Sequence, residues 1–190
     1  MNDALQDYYA LIAEGDSLYR KAAAYFETCI TCRAGCSDCC VNIAVFPVEW
    51  YAIELWLKGN SDFPVSPNTD NCIFLKNREC GIYAIRPFIC RIHGVPLMYL
   101  TEEEDYPDGK MPDQPEYQVT WCEYNFKDIR GELGNKVISD ETVIDMEELN
   151  TRLAEINYRF LETGEGSGYR LEERYTINDL YRKRLADLRG

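Results

Sequence analysis

Cys29-Ile-Thr-Cys32-Arg-Ala-Gly-Cys36-Ser-Asp-Cys39-Cys40 is the stretch on which the reading of this chain turns. Five of the nine cysteines fall within these twelve positions, and the others follow at Cys72, Cys80, Cys90 and Cys122. Cys29/Cys32 and Cys36/Cys39 each have the C-x2-C spacing, in which one tight turn aims two sulfurs at a single centre. Thiolate is a soft donor that suits zinc, Cu(I) and iron–sulfur clusters. Where thiols are kept reduced, a pattern this dense more often binds metal or does redox work than forms structural disulfides. Nine is also an odd number, which fits full pairing badly. Cys39 and Cys40 are adjacent, and neighbouring side chains on extended backbone point to opposite faces. The expectation is therefore that the two serve different metal ions or share a multinuclear cluster.

Composition narrows the rest. A hydrophobic fraction of 46% over 190 residues predicts one globular domain with its own core, spanning 1–190. Within it, 29–122 forms a cysteine-rich, metal-binding core and 140–189 a helical C-terminal part. The net charge of −13 argues against nucleic acid and against an anionic membrane surface, since both are bound through Lys and Arg. The N-terminus carries acid where a signal peptide carries base, and no apolar run is long enough to span a bilayer. A cytoplasmic protein is expected, with a protein partner left open.

Taken in order, residues 3–28 carry apolar residues at helical spacing, with Gly15-Asp16-Ser17 as a place to bend or divide the helix. Val41–Pro47 is β-branched and aromatic and reads as a strand. Pro47 then opens a helix that ends at Gly59, with Val48, Tyr51, Ala52 and Leu55 on one face. Two loops, 60–71 and 101–118, bracket the later cysteines, and the second holds an acidic run from Glu102 to Asp105. Between them, short strands are expected at Ile73–Leu75 and Gly81–Tyr83, joined by Lys76-Asn-Arg-Glu79, and then one helical turn bearing Cys90. Amphipathic helices follow at 140–163, with Val143, Met146, Leu149, Leu153, Ile156 and Phe160 inward, and at 177–189, with Ile177, Leu180, Tyr181, Leu185 and Leu188 together. The predicted class is α+β and mainly helical: a small irregular core with short strands, crosslinked by metal and packed by helices from both ends. Metal removal is expected to unfold 29–122 while the C-terminal helices keep structure.

A zinc ion with four thiolates is formally −2, and burying that charge needs donors or cations around it. Arg33, Lys76, Arg78, Arg86 and Arg91 are interleaved with the cysteines. Arg86 and Arg91 are the candidates to donate toward ligand sulfurs or a cofactor, with pairing of Arg86 to a scaffold carboxylate as the alternative. His93, the single histidine, is a candidate fourth ligand or proton carrier.

The string Cys32-x3-Cys36-x2-Cys39-Cys40, then Cys72-Ile-Phe-Leu, then Cys80-Gly-Ile-Tyr-Ala-Ile-Arg-Pro-Phe-Ile-Cys90-Arg, resembles the CxxCxxCC family of zinc- or iron-chelating proteins. The resemblance implies eight metal ligands: Cys32, Cys36, Cys39, Cys40, Cys72, Cys80, Cys90 and Cys122. Cys29 is then the extra, competing with Cys32 for one role. Flagellin lysine N-methylases resemble the same cysteine region and imply an iron–sulfur cluster there. No S-adenosylmethionine loop is recognisable here, so that activity is not carried over.

Three functions are thereby in play. The first is a metal-binding protein holding zinc ions or one or two iron–sulfur clusters. The second is an iron–sulfur enzyme acting on a protein side chain or a small molecule, with Tyr83, Arg86 and Arg91 lining the site; scarce histidine disfavours an open catalytic zinc. The third is a metal-free thiol redox protein, against which no thioredoxin-like βαβ unit surrounds Cys36 and Cys39.

Overall fold

The computed structural model describes residues 2–33, 35–60, 71–101, 116–126, 139, 142–171 and 175–187. The class is α+β and mainly helical, as the sequence predicts. Among the described residues the helices are α1 (Asp3–Tyr25), α2 (Pro47–Gly59), α3 (Phe88–Ile92), α4 (Met146–Leu161) and α5 (Ile177–Asp187), with a 3-10 turn at Tyr83–Ile85. The described residues also form short strands: β1 (Ala44–Val45), β2 (Leu75–Lys76), β3 (Glu79–Cys80), β4 (Leu97–Leu100), β5 (Tyr117–Thr120), β6 (Ile144–Asp145) and β7 (Tyr175–Thr176). Residues 61–70 and 102–115, which hold most of both expected loops and the acidic run, lie outside the described residues, as does Leu188.

The chain divides into two compact units. One comprises Met1–Ala10, Arg33–Cys90 and Leu153–Gly190; the other comprises Leu11–Cys32 and Arg91–Arg152.

In the first unit, β1 pairs antiparallel with β7, Ala44 opposite Thr176 and Val45 opposite Tyr175. The core gathers Trp50, Ile53 and Leu57 of α2, Ile73, Phe74 and Ile82, and Ile177, Leu180 and Tyr181 of α5. Each such side chain is worth roughly 1.5–3 kcal/mol relative to exposure. Cys72 and Cys80 are half-buried and pack against this core. The helix face expected on α2 is only partly the buried one. Val48 and Ala52 are buried, but Tyr51 and Leu55 are half-buried while Trp50, Ile53 and Leu57 carry the packing. A helix this apolar is covered on more than one side.

The hairpin β2–β3 also differs from expectation. Its strands are Leu75–Lys76 and Glu79–Cys80, with Leu75 opposite Cys80. Ile73 and Phe74 lie in the preceding turn, 4% and 0% exposed. The two-residue turn Asn77-Arg78 has φ of +52° and +64°, the primed geometry that matches strand twist. Apolar triplets attract a strand assignment, but here Ile73, Phe74 and Ile82 are turn residues buried in the core, and the pairing falls on Leu75–Lys76 and Glu79–Cys80.

In the second unit, β4 is central: β5 pairs with it antiparallel and β6 parallel. Phe26 and Phe126 form a small buried core, against which Cys29, Ile30 and Trp121 pack.

α1 starts on Asn2, whose Oδ1 accepts the Leu5 amide at 2.8 Å. It runs unbroken through Gly15-Asp16-Ser17 rather than dividing there. Asp16 is held by two bonds from Arg91, at 3.1 and 2.9 Å, so its side chain is drawn away from its own backbone. α4 begins at Met146, six residues later than expected, because Ile144–Asp145 is committed to the sheet and Asp145 caps the helix through the Glu147 amide at 2.9 Å. Its inward set is as predicted from Met146 to Phe160, with Val143 only half-buried.

Candidate metal centre

All nine cysteines are free thiols. Cys36, Cys39, Cys40, Cys72, Cys80 and Cys90 belong to the first unit; Cys29, Cys32 and Cys122 belong to the second.

Backbone bonds bring the first group together. Two tight turns carry the early cysteines, closed by Cys36 N–H to the Arg33 carbonyl and Cys40 N–H to the Ser37 carbonyl, both 2.9 Å. The Cys72 amide bonds the Cys40 carbonyl at 3.0 Å, and Val41 bridges Asn71 beside it. Cys40 and Cys72 are thus neighbours across an antiparallel contact. Leu75 N–H bonds back to the Cys72 carbonyl, and the hairpin sets Cys80 opposite Leu75. Arg78, from the hairpin turn, donates its Nε–H to the Gly35 carbonyl at 2.7 Å and stands 3.7 Å from Asp38.

The electrostatics tie five thiols into one cluster. The Cys39 S–H donates to Cys40, so the first proton leaves Cys40 more readily while Cys39 keeps its own. Burial and the fields of Cys80, Cys72 and Cys90 oppose ionisation at Cys40. Burial also pushes the thiols of Cys72 and Cys80 up and that of Cys90 up to about 12, with Cys72, Glu49 and Cys80 adding to the rise at Cys90. Arg86 pulls the other way on Cys80 and Cys90. Its guanidinium stacks on the Tyr83 ring, 3.9 Å from the centroid, a cation–π contact with an exposed aromatic. The backbone at 37–40 is a turn, not extended strand, and it brings the Cys39 and Cys40 side chains into hydrogen-bond contact.

Glu49 belongs to this cluster and is absent from the sequence reading. It is 4% exposed, its carboxylate accepts the Phe46 and Phe88 amides, and its charge reaches Cys90. A legible signal existed: an acidic residue at the third helical position, reaching back to the start of its own helix. Asn178 is a second omission. It is fully buried, accepts the Ile73 amide at 2.8 Å and donates to the Asn71 carbonyl at 2.9 Å, which fastens the segment carrying Cys72.

In the second unit, Asn125 is the organiser. Its Oδ1 accepts the Thr31 and Cys32 amides and its Nδ2 donates to the Gly94 carbonyl. Phe126 N–H bonds the Cys29 carbonyl and Asn125 N–H the Cys122 carbonyl. His93 is exposed and bridges Val95 through its backbone. Arg91, 7% exposed, makes an ion pair with Asp16 at 2.9 Å.

The donors suit a thiophilic metal in kind: five thiols in mutual electrostatic reach, with one guanidinium beside them. Among the described residues, no three His, Cys, Asp or Glu side chains stand as a finished ligand set. Among the described residues no helix is long and apolar enough to cross a membrane.

Residues 31–113 match the CxxCxxCC family, described as a "Putative zinc- or iron-chelating domain". The match includes Cys32, Cys36, Cys39, Cys40, Cys72, Cys80 and Cys90 and leaves out Cys29 and Cys122. No curated protein and no solved structure matches the chain.

Proposed function

We propose that this chain, with its CxxCxxCC match over residues 31–113, is a metal-binding protein whose principal ligands are Cys39, Cys40, Cys72, Cys80 and Cys90. Cys36, within the family match, belongs to the same proposal, and Cys32 and Cys122 of the second unit are proposed as further thiolate ligands. The observation that carries it is the mutual influence of these five thiols, four of which act on Cys40 through contact or charge. Arg86 acts on two of them, Cys80 and Cys90.

When bound, a zinc ion or an iron–sulfur cluster would supply a closed crosslink or a redox centre respectively. The chain's own residues prepare for it. Burial keeps Cys72, Cys80 and Cys90 protonated until their protons are displaced. Cys40, helped by the Cys39 hydrogen bond, is the thiol readiest to ionise. Arg86 offsets part of the negative charge that accumulates at Cys80 and Cys90. Thiolate ligation releases protons, so affinity rises with pH, on the order of tenfold per pH unit for each proton released.

The test is metal analysis of protein purified without oxygen, read with its visible spectrum. Brown protein with iron and acid-labile sulfide identifies an iron–sulfur cluster. Colourless protein with stoichiometric zinc identifies closed thiolate sites. Protein that carries neither metal, and takes up neither on incubation, sinks the proposal. Cys40→Ser and Cys90→Ser lower the metal content; Cys29→Ser leaves it unchanged.

A further inference from the structure

Glu49 occupies the third position of α2, is nearly fully buried and lies in no ligand pattern of the sequence. Its two oxygens serve two different helix starts. Oε2 accepts the Phe46 amide and Oε1 the Phe88 amide, each at 2.9 Å. Phe88 opens α3, two residues before Cys90. A five-residue helix gains too few hydrogen bonds to offset the cost of nucleation, so α3 needs an outside anchor. A carboxyl oxygen at its first amide supplies that anchor, and the burial that pushes the Glu49 carboxyl above its usual range makes the hydrogen bond the more needed. Burying a carboxylate is expensive unless it is hydrogen-bonded. Here the cost is met beside thiols that must become anionic to hold a metal, where a further negative charge is least welcome. A cap for α2 alone would need one oxygen, not both.

We infer that Glu49 is a positioning residue of the thiol centre, fixing the start of α3 so that Cys90 faces Cys72 and Cys80. The inference rests on the proposal that the centre holds a metal, and it adds a residue outside the cysteine set.

The experiment is anaerobic Co2+ titration of the full chain, comparing the unmodified protein with Glu49→Gln, Cys90→Ser and the double variant. Two quantities are read: the affinity, and the sulfur-to-cobalt charge-transfer absorption per bound ion, which counts thiolates. Glu49→Gln is expected to weaken Co2+ binding about tenfold, the scale of an outer-shell partner, and to lower the absorption by one thiolate. In the Cys90→Ser background it should add nothing, because the two act through one ligand. If Glu49→Gln binds Co2+ like the unmodified protein, or if its loss adds in full to that of Cys90→Ser, the inference is overturned. Should far-UV circular dichroism show Glu49→Gln unfolded, Glu49→Asp, which keeps the charge but shortens the reach, replaces it in the same cycle. An unmodified protein with no sulfur-to-cobalt band at all overturns the metal proposal itself, and the inference with it.

Discussion

At the scale of single residues, asparagines do much of the placing. Asn178 satisfies one amide and one carbonyl on the segment before and after Cys72, and its own amide is bonded by Asn42 Oδ1 at 3.1 Å. Asn125 does the same for the loop bearing Cys29 and Cys32. Truncating such a residue leaves buried polar groups without partners, which costs more than the bond itself is worth. Asn178→Ala is therefore expected to lose about 2 kcal/mol, read as a lower urea midpoint, and to make the Cys72 thiol react faster with a maleimide. An unchanged midpoint would show that Ile73 N–H and Asn71 C=O find other partners. Neither asparagine was legible in the sequence. Asn178 opens a helical pattern and Asn125 stands between two aromatics, and only the fold shows which distant backbone each completes. The cysteines were legible because their chemistry is carried by type and spacing.

At the scale of elements, boundaries moved wherever a strand or a cap competed with helical periodicity. The pattern from 140 onward is helical, yet Ile144 and Asp145 pair with β4 and Asp145 then closes the first turn of α4. Asp145→Ala should cost about 1 kcal/mol of stability, while Asp145→Asn, which still caps, should cost much less. Thermal melting of the two variants checks this, and equal losses would point to the charge instead of the cap. Gly166 shows the same competition after α4. A Cβ there would overlap the Phe160 carbonyl oxygen, so the glycine-rich stretch ends the helix by close backbone approach and not by flexibility alone. Residues 77 and 78 were expected within a polar turn, but the tightness of that turn depends on two left-handed residues that the sequence does not mark with glycine.

At the scale of the whole molecule, the cysteine-bearing segments of the first unit are bonded to the C-terminal ones. β1 pairs with β7, and Asn178 at the start of α5 holds the strand-like residues around Cys72. Beside the expectation that the C-terminal helices keep structure after metal removal, these bonds predict a coupled response in α5. Chelation of the metal-loaded protein should raise amide exchange in 175–187 together with that in 71–80. Exchange rising in 71–80 alone would refute the coupling. The metal-free protein should also lose stability in alkali. Cys72, Cys80 and Cys90 are raised from the ordinary thiol value of 9.0, Cys90 to about 12. Between those values the folded state binds more protons than the unfolded one, so stability falls as pH rises through that window. A melting temperature that stays flat from pH 8 to pH 11, on metal-free protein under reductant, would contradict this.

The amino-acid sequence alone determined the donor chemistry, the helical character of both ends and the punctuation of α2, because thiol softness, a 3.6-residue period and proline or glycine at helix ends are local properties. The tertiary structure decided which thiols share a neighbourhood, that Cys39 and Cys40 meet, and that a buried carboxylate and an asparagine amide hold the cluster's edges. Those are contacts between residues 39 to 107 positions apart along the chain, or turn geometry set by such contacts, and no local pattern encodes them.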